Sequence, residues 1–251
     1  RGRNTREVNQ EQTVQFTINY NANEIRNPSR EIKVVVLQND IWQTAISDLK
    51  PQFYRNNQLI YKHYNTSNFW SGNEYLNFDN KQIRNSTVQI ARVEKKDIYH
   101  TYLYTQEPRN EKPYTYFPDI NGQFVVRTIE GNNPSTEADY ARVYFSLNTP
   151  KLKNKEVYIY GAFNNFNTTP ENKMTFNTVT KKYETSILLK QGFYNYTFAT
   201  KDKKNTLNTF ELNGSFYQTE NEYTVLVYYK AFGENYQRVI GIGSAKINPQ
   251  E

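Results

Sequence analysis

Apolar and aromatic residues recur at every second position in one segment after another, and turn-forming residues interrupt them every ~10 residues. The pattern is clear in "TVQFTINY" (13–20), "EIKVVVLQND" (31–40), "QLIYKHYN" (58–65), "STVQIARVE" (86–94) and "DIYHTYLYT" (97–105). It continues in "QFVVRTIE" (123–130), "ADYARVYFSL" (138–147), "EVYIYGAF" (156–163), "KYETSILL" (182–189), "GFYNYTFAT" (192–200) and "EYTVLVYYKAF" (222–232). A period of two puts alternate side chains on opposite faces of an extended strand. Helical periodicity is almost absent. The chain is therefore expected to be all-β, and the turn spacing points to β-sandwiches. A mean hydropathy of −0.89 beside 16% aromatics fits strands with one dry face and one wet face.

At 251 residues the chain is long enough for one large domain or two ordinary ones of ~100–150 residues. "GNNPST" (131–136) is its richest cluster of breakers. The expected architecture is two consecutive antiparallel β-sandwich domains, immunoglobulin-like or E-set-like, over 1–132 and 133–251. The polar opening "RGRNTREVNQEQTVQF" is read as the start of a trimmed or partial chain.

The net charge of +6 is not concentrated in either half. Residues 1–134 carry 17 Lys+Arg against 14 Asp+Glu, and residues 135–251 carry 14 against 11. A nucleic-acid binder concentrates its positive charge, so that class is not expected. "RGR" (1–3) and "KDKK" (201–204) read as solvated loops. The absence of cysteine removes disulfides, thiolate catalysis and cysteine-ligated metals. No window approaches the ~18 apolar residues of a membrane helix, and no signal peptide is visible.

Candidate chemistry is sparse. His63 and His100 both fall in alternating strands and read as ordinary strand positions rather than metal ligands or bases. "DING" (119–122) lacks the further acidic positions of a calcium loop and reads as a hairpin turn. "GIG" (241–243) has no accompanying lysine and reads as a turn rather than a phosphate loop. No enzyme, metal or cofactor is expected.

The segment "VYIYGAFNNF" (157–166), followed by "YETSILLKQGFYNYTF" (183–198), has the layout of sandwiches related to glycogen-binding modules. Those modules commonly place a Trp platform after the "FN" pair, where Phe166 stands here, and the second half of the chain has no Trp. Phe163, Phe166, Tyr194 and Tyr196 are expected to pack the sandwich rather than stack on sugar. Gly161 is expected to allow a close approach at a strand end, and Gly192 to take a positive φ in the "KQGFY" turn.

Two tryptophans remain, Trp42 in "NDIWQTAI" (39–46) and Trp70 in "TSNFWSGNEY" (66–75). The second segment reads as a loop whose tip is tightened by Gly72, so Phe69 and Trp70 are expected to project as partner-contact anchors, with Trp42 as a further contact. The competing reading folds Trp70 back as a lid on its own core.

Taken in order, a set of segments resembles the plug-protein family of the type IX secretion system of Bacteroidota. They are "QTVQFTINY", "NPSREIKVVVLQNDIWQTAI", "GNEYLNFD", "DINGQFVVR", "ADYARVYFSL", "VYIYGAFNNF", "LLKQGFYNYTF", "TENEYTVLVYY" and "VIGIG", and together they span nearly all of the chain. The likeness begins part-way along the family's pattern, after a further N-terminal β-rich segment. It implies a non-enzymatic periplasmic protein, peripheral to the outer membrane. Such a protein binds the very large β-barrel translocon that exports folded cargo and seals its periplasmic opening when no cargo is in transit. No cofactor, metal, nucleic acid, membrane insertion or small-molecule substrate comes with it. The alternative is a carbohydrate-binding or accessory module of a polysaccharide-handling system, and a third reading is a structural linker of a surface assembly. The missing Trp platform favours the plug.

Overall fold

A computed structural model describes residues 8–247. The alternating segments become strands. The chain lays down β1 (Glu11–Thr13), β2 (Phe16–Asn19), β3 (Ile32–Gln38), β4 (Ile41–Ser47), β5 (Phe53–Arg55), β6 (Gln58–Tyr61) and β7 (Asn68–Trp70). It continues through β8 (Leu76–Asp79), β9 (Ile90–Lys95), β10 (Tyr99–Leu103), β11 (Phe124–Val126), β12 (Tyr140–Leu147) and β13 (Lys155–Tyr160). Then follow β14 (Lys173–Asn177), β15 (Lys182–Lys190), β16 (Gly192–Asp202), β17 (Leu207–Asn208), β18 (Asn221–Tyr229) and β19 (Arg238–Ile247). The described helices are single turns, none long enough to cross a membrane. The protein is all-β.

Its strands gather into two compact units, and the division is not sequential. The first unit comprises Arg1–Ser71 and Ser215–Glu251, and the second comprises Gly72–Gly214. The boundary expected near 131–136, separating 1–132 from 133–251, falls inside the second unit. Strands from both sides of it share one sheet: β10 pairs with β12 from Tyr99↔Ala141 to Tyr102↔Tyr144, and β11 pairs with β16. The breakers have a local task instead. Asn133 caps a single helical turn, Pro134–Glu137, by accepting from Ser135 N at 3.2 Å, while the Glu137 carboxylate accepts from Asn133 N at 2.6 Å. The glutamate half of this device recurs in the first unit, without the asparagine side-chain cap. There "NPSRE" forms the turn Pro28–Glu31 and Glu31 accepts from Asn27 N at 3.0 Å. Each turn leads into a long strand, β3 in one unit and β12 in the other. Both passages of the chain between units fall beside a glycine with left-handed backbone, Gly72 at φ 70° and Gly214 at φ 79°.

The first unit holds a four-stranded sheet in the order β19-β18-β3-β4, a three-stranded sheet β2-β6-β5, and the pair β1-β7. Ile32, Val34, Val36, Leu59, Tyr61, Phe69 and Val227 form the centre of its core. A buried amide network stitches its distant segments together. The Gln12 amide donates to the carbonyls of Tyr217 (2.7 Å) and Thr219 (2.8 Å), and Asn221 donates to Gln12 Oε1 (2.9 Å) and the Ser71 carbonyl (2.9 Å).

In the second unit a ten-stranded sheet runs β11-β16-β13-β14-β15-β12-β10-β9, with β8 and β17 also pairing with the long strand β16. The β10–β12 pair is parallel, a departure from the purely antiparallel expectation. Aromatic side chains dominate the core. Phe78 stacks on Tyr194 at 5.1 Å and meets Phe145 edge-on at 5.9 Å, and Phe145 in turn meets Tyr196 edge-on at 5.1 Å.

Three glycine expectations resolve here. Gly161 is a close approach, since a Cβ there would lie 2.8 Å from the Asn195 carbonyl oxygen. Gly192 is not a positive-φ turn residue. It sits at the start of β16, where a Cβ would fall 2.4 Å from the Val125 carbonyl oxygen, so strand proximity selects it. "GIG" (241–243) is not a turn either but the middle of β19, because its neighbours continue the ladder to β18 on both sides.

Candidate functional site

The expected aromatic tip does not exist as a loop. Residues 68–70 form β7, which pairs with β1 in the register Glu11↔Trp70 and Gln12↔Phe69. Strand alternation then sends Phe69 inward: it is 5% exposed and its ring lies 5.3 Å from that of Tyr223. Phe69 is a core residue, and the contact role expected of it is corrected. Trp70 is half-buried, and its carbonyl accepts from the Gln38 amide at 3.1 Å. Trp42 stands on β4, the end strand of its sheet, and is 58% exposed. Of the three expected anchors, only Trp42 presents most of its ring to solvent.

The glycogen-binding-like segment is packed as expected. Phe166, Tyr194 and Tyr196 are buried and Phe163 lies half-buried against the core. Phe166 packs beside Tyr160 at 5.4 Å. Burial pushes the Tyr160 phenol up to about 12. No flat aromatic platform is available in this segment.

Only His100 stands in a strand, β10; His63 lies beyond the end of β6, so its expected strand position is corrected. His63 Nε2 lies 2.6 Å from the Lys50 carbonyl, and His100 is buried between the Tyr144 hydroxyl (2.9 Å) and Asp97 (3.4 Å). Beside His100, the Arg92 guanidinium lies 3.8 Å over the Tyr102 ring, which stacks on Tyr144 at 4.3 Å. Among the described residues no three His, Cys, Asp or Glu converge as a metal cluster would require. "DING" forms a pinned turn: Asp119 accepts from Tyr75 N (2.5 Å) and Asn121 N (2.6 Å), and Asn195 Oδ1 accepts from Ile120 N (2.7 Å) and Gly122 N (3.3 Å). "KDKK" is a turn at the end of β16, where Asp202 accepts from Lys204 N at 2.8 Å. "RGR" lies outside the described residues.

One polar cluster gave no sequence signal. Glu74 is buried, and its carboxylate accepts from the Tyr114 hydroxyl while its carbonyl accepts from Arg109 at 2.8 Å. Burial lowers the Arg109 pKa, and burial together with the Glu74 carboxylate raises that of Tyr114. These ties hold the strand-poor stretch between β10 and β11 against the second unit's own core.

Among the described residues of the first unit, one hollow of about 330 Å³ lies between β2 and β19. One wall is Val14–Ile18, the other is Gly241–Ala245, and Tyr223, Val225 and Val227 form the floor. A second hollow, bordered by Ile18, Tyr229, Arg238 and Ile240, adjoins these same strands. Both β2 and β19 are end strands of their sheets. Exposed aromatic rings are also commoner in this unit. Trp42, Phe53, Tyr54, Tyr64, Tyr217, Phe232 and Tyr236 belong to it, against Tyr104, Phe117, Phe124 and Tyr140 in the larger second unit. Sequence reasoning looked for contacts in loops and missed this strand-built surface. The glycines inside an otherwise apolar strand were the available signal.

No protein-family model and no curated protein matches the chain. A crystal structure of a hypothetical protein from Parabacteroides merdae is similar to it, with 31% identity and a TM-score of 0.88. The likeness covers 95% of this chain and 60% of that one, so this chain spans about three-fifths of its relative's length.

Proposed function

We propose that the protein is a non-enzymatic periplasmic plug. In this reading it binds the large outer-membrane β-barrel translocon of the type IX secretion system and closes its periplasmic opening when no cargo is in transit. Each unit is read as a β-sandwich of the immunoglobulin-like or E-set-like kind, the second one glycogen-binding-module-like. The resemblance of the ordered motifs supplies the family. The observation that carries the reading on the structural side is the surface of the first unit, where exposed rings and unfinished strand edges make a binding body rather than a cleft for chemistry. Packed sheets supply the stiffness that a seal requires, and a wide contact of mixed polarity is reversible because area does not fix affinity. The buried ring of Phe166 and its neighbours weighs against a sugar platform.

Trp42 is the proposed anchor. Burying a ring of this size contributes on the order of 2 kcal/mol, and ~1.4 kcal/mol is a factor of ten in affinity. Affinity purification from the native organism is expected to recover a very large outer-membrane barrel with the wild-type protein. Trp42→Ala is expected to reduce that recovery about tenfold while leaving the melting temperature unchanged. Recovery of no such barrel by the wild type would sink the reading.

A further inference from the structure

We propose that the first unit is a strand acceptor. The hollow between β2 and β19 takes an extended, uncharged segment of a separate protein, alternating β-branched with small polar residues, which adds to the free edge of β19. This goes beyond the plug reading and does not depend on it.

The edge itself is unusual. β19 is ten residues long and ends its sheet. Ile242 is 71% exposed and Val239 53%. Soluble proteins guard such edges with charges, proline or bulges. Between Arg238 and Lys246 the strand "VIGIGSA" carries no charge and no proline; its one register shift falls at Ile240, and the ladder from Gly241 to Ile247 is regular.

The inner face of β19 is bare from Gly241 to Ala245, while Ile247 at its end packs against the core. Its residues pair as Val227↔Gly241, Val225↔Gly243 and Tyr223↔Ala245, and paired residues share a face. The core-facing positions are therefore Gly, Gly and Ala. Neither glycine is demanded by its backbone, since both lie outside the positive-φ set. Crowding does not demand them either: a Cβ at Gly243 meets nothing within 4 Å, and one at Gly241 makes only ordinary contact with Val227 at 3.6 Å. Interior strand glycines weaken a strand and mark places where another backbone approaches. Across the hollow, Phe16 and Ile18 on β2, which also ends its sheet, and Val14 just before it remain half-buried at the rim of the core. Both walls have the character of a core that lacks one strand.

Charge selects the occupant. None of the residues lining the hollow is charged, so a charged side chain pushed inward would be desolvated without a partner. A second copy of β19 fits poorly. Antiparallel self-pairing centred on Ile242 sets Arg238 against Lys246 and faces glycine with glycine, leaving the hollow unfilled. A different strand with branched inward side chains fills it. At the two ends Arg238 is paired with Glu234 and Lys246 with Glu222, each at 3.3 Å, so the ends add no charge preference to that of the uncharged lining. Adding a strand to a sheet edge takes its affinity from main-chain hydrogen bonds and its selectivity from alternate pockets.

The test uses the full-length protein and a labelled peptide of about eleven residues, alternating valine and threonine. Fluorescence anisotropy is expected to show saturable binding, and amide hydrogen exchange is expected to slow along 238–247. A peptide with two prolines at the alternate positions that pair is expected not to bind. Gly243→Val, which fills the hollow from within, is expected to weaken binding about tenfold with a melting temperature unchanged or raised. The exchange measurement on wild type stands even if that variant does not fold. Absence of binding, or equal binding by folded Gly243→Val, overturns the proposal. So does slow exchange along β19 before peptide is added, which places the occupant in the same chain, and so does dimerisation through β19.

Discussion

The two units use the same strand vocabulary and finish it differently. In the second, fifteen buried apolar residues form the core and six more pack half-buried against it. In the first, nine are buried and nine are half-buried among the described residues. One core is closed by a continuous sheet and interlocking rings. The other is spread under three small sheets and stays open between β2 and β19. The lesson is that an aromatic-rich alternating sequence does not guarantee a closed core. Closure depends on whether every sheet end finds a partner, and binding surfaces are drawn from the places where it does not.

Alkali is the strongest way to press on this difference. Tyr160, Tyr194 and Tyr196 lie in the second unit's core, and Tyr61 and Tyr223 in the first's, and burial raises the pKa of all five above the ordinary 10. A raised folded pKa gives stability that is complete below pH 10 and is lost as pH climbs through the folded value, about 12 for Tyr160. Unfolding is expected to set in above pH 10 and be complete beyond about pH 12, with signals from the second unit leading. Tyrosinate absorbance followed beside circular dichroism checks this. Ionisation of the five buried phenols near pH 10 with the fold intact would break the comparison.

Next in size is Phe78→Ala. Phe78 is fully buried and touches three aromatic rings, so its loss is expected to cost about 3–5 kcal/mol in chemical denaturation. Val225→Ala, at the half-buried floor of the first unit, is expected to cost clearly less. Equal costs would mean that the two cores are equally closed.

Asn195→Ala removes the acceptor for Ile120 N and Gly122 N and is expected to cost about 1–3 kcal/mol, because buried donors are left unpaired. Exchange at those two amides is expected to accelerate while β19 is untouched.

The smallest effect is expected from Gly243→Ala. A strand glycine costs roughly 0.5–1 kcal/mol relative to alanine, and the added methyl meets open space, so the variant is expected to be stabilised by up to that amount. A destabilised variant would show that the position is already filled.

The sequence by itself determined that this chain is all-β and where most strands lie, because a period of two is a local property of neighbouring residues. It also determined that Tyr194 and Tyr196 are core, since they sit on the dry face of one long alternating run, whereas Phe166 reaches the core from a turn with left-handed backbone at φ 52°. It misplaced Phe69, because "SNFWSG" carries turn residues on both sides and only pairing with β1 makes it a strand. The division of the chain was likewise invisible locally: "GNNPST" has the composition of a linker whether it joins domains or caps a helical turn. What only the tertiary structure decided is the return of β18 and β19 to the first unit and the open hollow that they leave beside β2. Partner choice among strands is a long-range matter of which edges meet, and nothing in the alternation of a segment records which neighbour it will find or whether it will find one.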